Sequence, residues 1–250
     1  MYNGLSKEEI EYCFQQLCAE AGRQGIIGFS PVEAVQLLPE QALHLQQKLT
    51  ALGHVEDIAA ISLGLFYHEQ EILAVPAAWK SKSTADDRWN DYARAYQTLN
   101  RLLNHFTAVL TAQFGGVAEQ ATMEGWAEKV KHVTDYFPHC VSHRAFAEGA
   151  GLGWRGRHGL IVTPQAGPAL RFATVFLPGR VPSSRKGFAG CGDCQACFET
   201  CPMLRKGGEY REACRRRVNT LGLEAEVCGI CVRVCWEHVR TQRHREQGHG

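Results

Sequence analysis

The chain has 250 residues, with 27 lysines and arginines against 26 aspartates and glutamates, so its formal charge of +1 singles out neither a nucleic-acid nor a membrane-surface partner. It lacks an apolar run of the roughly 18 residues that a membrane-spanning helix needs, which removes that class of protein. The N-terminus has no basic segment leading into an apolar one and no twin-arginine pair, so a cytoplasmic protein is expected.

In chain order, Ser6 and Glu9 form a Ser-x-x-Glu capping box, and Ile10, Phe14, Leu17, Cys18 and Ala21 recur at helical spacing behind it. Cys13 and Cys18 lie on or near that stripe and read as core residues, because free cysteine behaves as a small hydrophobe. Gly22 and Gly25 end the helix, and Ile26 to Phe29 reads as a short strand leading into Ser30-Pro31. A second helix is expected from Glu40 to Leu52. The apolar run Ile58 to Phe66 then reads as a central strand covered on both faces, with Tyr67, His68 and Glu69 at its end. A strand's carboxyl end is where ligands often sit, which makes His68 a candidate beside its plainer reading as a surface histidine.

The polar stretch Lys80 to Asp87 reads as a loop, and Trp89 to Phe114 as a long helix stopped by Gly115-Gly116. A strand near Val117 to Ala121 and a helix around Gly125 to Tyr136 follow. Ser142 is placed to cap the helix that runs into Gly149, Gly151, Gly153 and Gly156. That glycine density allows close backbone approach, and tight loop packing is its plainer reading. It is not a phosphate loop, since Gly-Arg-His lacks the lysine and hydroxyl of that motif. Leu160 to Thr163 and Leu170 to Leu177 are strand-like runs expected to form a hairpin-like pair. Pro178 to Gly190 reads as a linker, dividing an α/β domain (1–180) from a cysteine-rich module (181–250).

Eight of the 11 cysteines fall between Cys191 and Cys235. The first half, Cys191-Gly-Asp-Cys194-Gln-Ala-Cys197-Phe-Glu-Thr-Cys201-Pro202, has the spacing of the bacterial ferredoxin run, in which three thiolates hold one cubane and the fourth serves another. Pro202 suits the first turn of a helix carrying Cys201 away. The second half, Cys228-Gly-Ile-Cys231-Val-Arg-Val-Cys235, is short of one ligand, and Cys214 is the one unused cysteine nearby. This assigns Cys191, Cys194, Cys197 and Cys235 to one 4Fe-4S cluster and Cys201, Cys214, Cys228 and Cys231 to another. Paired Cys-x-x-Cys units also make zinc sites, but the triple spacing with Cys-Pro is a cluster signature. Disulfides are disfavoured because nothing marks the chain as secreted. Arg205, Lys206, Arg211 and Arg215 to Arg217 read first as compensation for anionic clusters, ahead of nucleic-acid binding.

This order of eight cysteines resembles the C-terminal dicluster module of the epoxyqueuosine reductases and their relatives among reductive dehalogenases. The stretch Glu148 to Thr163 is similar to the glycine-rich segment those reductases carry before their clusters. The two motifs cover roughly residues 140 to 236, and the resemblance is to short reductase-like double-cluster proteins more than to the full-length tRNA enzyme. The resemblance implies an α+β or α/β fold with a nitroreductase-like mixed sheet flanked by helices, and a ferredoxin-like module behind it. It also implies cofactor contacts at Gly151, Gly153 and Trp154.

In that family a helix begins near an Asp-Tyr-His-Lys segment whose aspartate is the proposed proton donor to the reduced epoxide. Here Ala95-Tyr96-Gln97-Thr98-Leu99 is the better match, which puts Ala95 in the acid's place; Asp91-Tyr92, four residues earlier, is the other register and makes Asp91 the candidate acid. The full-length enzymes also carry a helical-repeat extension that grips tRNA, whereas this chain stops 15 residues past Cys235, so a nucleic-acid partner is not expected. Two functional readings stand. One is an oxidoreductase of unassigned substrate, whose clusters relay electrons from a donor such as a ferredoxin or flavodoxin to a cobalamin. The other is an electron-transfer or accessory protein with no substrate of its own.

Overall fold

Ser6 Oγ accepts the Glu9 backbone N–H at 3.2 Å and starts α1 (Lys7–Glu20) where the capping pattern places it. The inward face of α1 buries Ile10, Phe14, Leu17 and Cys18. Cys13 is a correction to the expected core pair. It is only half-buried, and its thiol donates to Gln113 Oε1 at 3.3 Å. The computed structural model of the chain describes residues 6–84, 87–121, 130–182 and 187–247.

Its contacts separate two units that interleave along the sequence: residues 1–66, 100–153 and 171–187 form one, and residues 67–99, 154–170 and 188–250 the other.

The first unit is built on a four-stranded sheet of order β1-β2-β6-β3, from β1 (Gly25–Pro31), β2 (Ile58–Phe66), β3 (Val117–Glu119) and β6 (Leu170–Pro178). β1 pairs antiparallel with β2, from Gly25 opposite Leu65 to Pro31 opposite Ala59, and β3 pairs antiparallel with β6. β2 is an inner strand buried from Ile58 to Leu65, which explains why its sequence is a continuous apolar run instead of an alternating one. Helix α2 (Pro39–Leu49) lays Leu45 and Leu49 against Ile58, Ala60, Phe146 and Phe176. The Phe146 and Phe176 rings meet edge to face at 5.2 Å, and Phe14 meets Phe106 in the same manner at 6.1 Å. Helix α5 (His143–Gly149) follows Ser142, whose side chain makes no capping hydrogen bond.

The strand-like runs near residues 160 and 170 do not pair with each other. β5 (Ile161–Val162) pairs with β4 (Trp154–Arg155), so the glycine-rich segment closes its own small hairpin, while β6 joins the main sheet. The cause is a tight bridge between Thr163 and Gly167, which ends one hairpin before β6 begins. A second correction concerns the helix expected around Gly125 to Tyr136. Residues 122–129 lie outside the described part, and Val133–His139, which contains Pro138, is a 3₁₀ segment.

In the second unit, Glu69–Leu73 forms α3, and residues 89–99 of α4 (Trp89–Phe114) belong here while 100–114 belong to the first unit. The cysteines lie on and between three helices, α6 (Ala196–Thr200), α7 (Tyr210–Thr220) and α8 (Ile230–Gln247). No α-helix begins at Pro202. Cys201 is the cap that ends α6, and after a turn the chain enters a 3₁₀ segment from Leu204 to Glu209. Among the described residues no helix is long and apolar enough to cross a membrane.

Candidate metal centres

Short loops and helix ends bring the thiols of the second unit together. Cys194 N–H donates to Cys191 O at 3.1 Å and Cys201 N–H to Cys197 O at 3.0 Å, so the two- and three-residue spacers are each closed by a backbone hydrogen bond. The residues after Cys191 and Cys228 are glycines with φ of +49° and +81°, a left-handed conformation that L side chains rarely adopt. At Gly229 the space is also filled, since a Cβ there would lie 2.5 Å from the Tyr92 ring. Cys214 rides on α7, and Cys231 and Cys235 sit one turn apart on α8.

The electrostatic neighbourhoods of the thiols fall into two groups. Burial pushes Cys235 up to about 12, and next the charges of Cys197, Cys191 and Cys194 raise it further. Cys197 is pushed up to about 11, first by burial and then by Cys194 and Cys191. Cys214 rises to about 11 through burial and then Cys228 and Cys201, although the residue still touches solvent. Cys231 is raised well above the ordinary thiol value by burial, followed by Cys214, Cys228, Cys201 and, last, Cys197. Four thiols held in dense surroundings and mutually repelling as thiolates are disfavoured as anions unless a cation neutralises them. That donor set fits a metal cluster. Among the described residues, no group of three or more His, Cys, Asp or Glu side chains stands close enough together to hold a metal ion.

Residues distant in sequence complete this surrounding. Trp89 Nε1–H donates to Cys228 O at 2.6 Å, and Arg157 donates to Gly192 O at 2.8 Å, so α4 and the β4–β5 hairpin each hold one cysteine loop by its backbone. Trp79 packs against the buried cluster of Cys197, Cys201 and Leu204. The Arg217 guanidinium lies 3.7 Å from the centre of the Trp79 ring. Nothing local in the sequence marks Trp79, Trp89 or Arg157 as neighbours of the cysteines, because none lies within 30 residues of the loop or pocket it serves except through the fold.

The remaining candidates are engaged elsewhere. Gly151, at φ +67°, turns the chain at the end of α5 with its N–H on Glu148 O at 3.1 Å, and Gly153 is buried. Trp154 pairs with Val162 across the hairpin and tilts against Phe188 at 5.6 Å. Burial holds His158 down to about 4, hence neutral, and its Nδ1 accepts the Leu160 N–H at 3.1 Å. Asp91 is half exposed and paired with Arg94 at 2.5 Å, while Ala95 is buried. His68 is an exposed residue at the start of α3, where its N–H donates to Glu71 Oε2 at 2.8 Å. Cavities of about 440 and 310 Å³ occur, the first beside Arg180 and the second beside Trp236, and neither is lined by Gly151, Gly153 or Trp154. Gly151 and Gly153 serve the chain's own turn, whereas the buried Trp154 Nε1–H meets no acceptor.

No family model matches the chain. Over 152 residues, 60% of this chain and 41% of the relative, it is 36% identical to an epoxyqueuosine reductase of Synechococcus sp. (strain RCC307). Over 86 residues, 34% of this chain and 23% of the relative, it is 34% identical to an epoxyqueuosine reductase of Escherichia coli (strain K12). The chain resembles the epoxyqueuosine reductases. The matched stretches span between 21% and 41% of such curated relatives. A catabolic reductive dehalogenase matches 92% of this chain and 33% of its own with a TM-score of 0.55 at 16% identity, a likeness of fold.

Proposed function

We propose that the chain is an iron–sulfur redox protein that holds two four-iron clusters and passes electrons, one at a time, into a reductive reaction. What supports this reading is that the charges felt most by Cys235 are those of Cys197, Cys191 and Cys194, and those felt most by Cys214 are Cys228 and Cys201, which agrees with a crossed sharing of two clusters. Such crossing is what a two-cluster module needs and what two independent Cys-x-x-Cys zinc knuckles would not produce. When bound, the clusters supply one-electron transfer at potentials set by charge, hydrogen bonding and exposure. The protein's part is to present the thiolates on loops fixed through Trp89 and Arg157, with Cys197 and Cys201 buried. A ferredoxin or flavodoxin is the class of donor proposed. The resemblance to epoxyqueuosine reductases supports reductase chemistry as its use.

Anaerobic reconstitution tests the reading, with about eight irons and eight sulfides per chain expected. Stoichiometric zinc without sulfide would sink it.

A second reading, an electron carrier without its own substrate, is favoured by one feature. The acid needed to eliminate a hydroxyl as water has no evident holder, since Asp91 is tied to Arg94 at the surface and Ala95 is buried. Supplying reductant, cobalamin and an epoxyqueuosine-containing tRNA stem-loop separates the two. Efficient turnover that vanishes in Asp91→Asn would establish a tRNA-modifying enzyme. Cobalamin binding without turnover would point to another substrate, and absence of binding to the carrier.

A further inference from the structure

Most arginines around the cysteines already have partners. Arg215 pairs with Glu212 at 2.7 Å, Arg216 lies 3.7 Å from the same carboxylate, Arg205 donates to Glu199 O and Arg211 to Tyr210 Oη. Arg217 differs from them. Its terminal nitrogens donate to two neutral carbonyls, Ser81 O at 3.2 Å and Lys80 O, and its plane is pressed on Trp79. Among the described residues it has no carboxylate partner, and its buried Nε–H meets no acceptor. A guanidinium packed against an indole with a donor unsatisfied and no counter-charge is costly unless an anion lies beside it. The helix supplies the place for one: Arg217 is three residues after Cys214 on α7, hence on the same face, and its charge reaches that thiol.

We propose that Arg217 sets the potential of the cluster held by Cys201, Cys214, Cys228 and Cys231, its charge and its Nε–H stabilising the form that carries the added electron. Positive charge and hydrogen bonds to the sulfurs favour the more negative, reduced state, so Arg217 raises this cluster's potential and leaves the other unaffected. The inference rests on the two-cluster reading above.

The test is a dithionite titration of the anaerobically reconstituted full chain followed by electron paramagnetic resonance. Cys228→Ser and Cys194→Ser identify which signal belongs to which set. Arg217→Gln is expected to disfavour reduction of the second cluster at least about tenfold, equivalent to 59 mV for one electron, with the first cluster changed less than twofold. Arg216→Gln removes the same charge from an exposed position and should move neither. Full iron with an unchanged second potential in Arg217→Gln overturns the proposal, as do equal shifts of both clusters or the same shift in Arg216→Gln. If Arg217→Gln fails to hold the second cluster, Arg217→Lys decides. A lowered potential there supports the Nε–H donor, an unchanged one overturns the donor's part and leaves the effect to the charge alone, and loss of the cluster from this variant too overturns the proposal. Absence of iron and sulfide in the wild type is a different failure, visible before any variant is compared, and removes the two-cluster reading itself.

Discussion

The Trp89 indole N–H reaches the carbonyl oxygen of Cys228 across 139 residues of sequence, at 2.6 Å. Trp89 is fully buried, so this bond ties the start of α4 to the loop that presents Cys228. Trp89→Phe keeps most of the ring and deletes the donor, leaving a carbonyl without its partner. A loss of about 1–3 kcal/mol is expected, measured as a lower denaturant midpoint and as faster release of iron to a chelator.

The two glycines of the cysteine loops should respond unequally to the same change. Gly192→Ala meets no atom within 4 Å and carries only the penalty of its left-handed backbone, about 1–2 kcal/mol. Gly229→Ala carries that penalty and a Cβ 2.5 Å from the Tyr92 ring as well. Iron retention after reconstitution should fall clearly in Gly229→Ala and little in Gly192→Ala. Equal behaviour would mean that the Tyr92 ring yields.

Ligand substitutions are expected to sort by set, not by sequence order. Cys235→Ala should remove the cluster shared with Cys191, Cys194 and Cys197, and Cys214→Ala the other, each leaving about four irons. If Cys214→Ala retains both four-iron signals, the crossed assignment is wrong.

His158 gives a pH dependence with a definite sign. Burial lowers its folded-state value from 6.5 to about 4, so the unfolded chain takes up the proton first as the pH falls. Its contribution is complete above about pH 6.5 and is lost on going down towards pH 4, by roughly 3 kcal/mol at most. His158→Asn keeps an acceptor for the Leu160 N–H but does not titrate. Across that window its denaturant midpoint should change less than that of the wild type, and parallel curves would rule this account out.

Much of the secondary structure was legible where one strong local signal stood alone. The Ser6–Glu9 pair starts α1, Gly115-Gly116 stops α4, and the unbroken apolar run of β2 marks an inner strand. The runs near residues 160 and 170 differ from expectation because strand propensity does not say which strand is the partner; the Thr163–Gly167 bridge decides it. Pro202 suits a first helical turn, yet Cys201 already ends one helix and Pro202 stands in the turn that precedes the next 3₁₀ segment. The cysteine spacing was visible at once. Trp79, Trp89, Arg157 and the singular position of Arg217 were not, because they depend on segments that return to the cysteines only through the fold.

The chain enters and leaves the cysteine-bearing unit repeatedly, and that interleaving limits how the unit can be excised. A fragment beginning at residue 188 would carry every one of the eight thiols yet lack Trp89 on the Cys228 carbonyl, Trp79 beneath Arg217 and Arg157 on the Gly192 carbonyl. It would also lack Gly167, where a Cβ would come within 3.3 Å of the Trp236 backbone. Excised on its own, the cysteine region would keep its ligands but lose the groups that hold the Cys228 and Gly192 carbonyls in place.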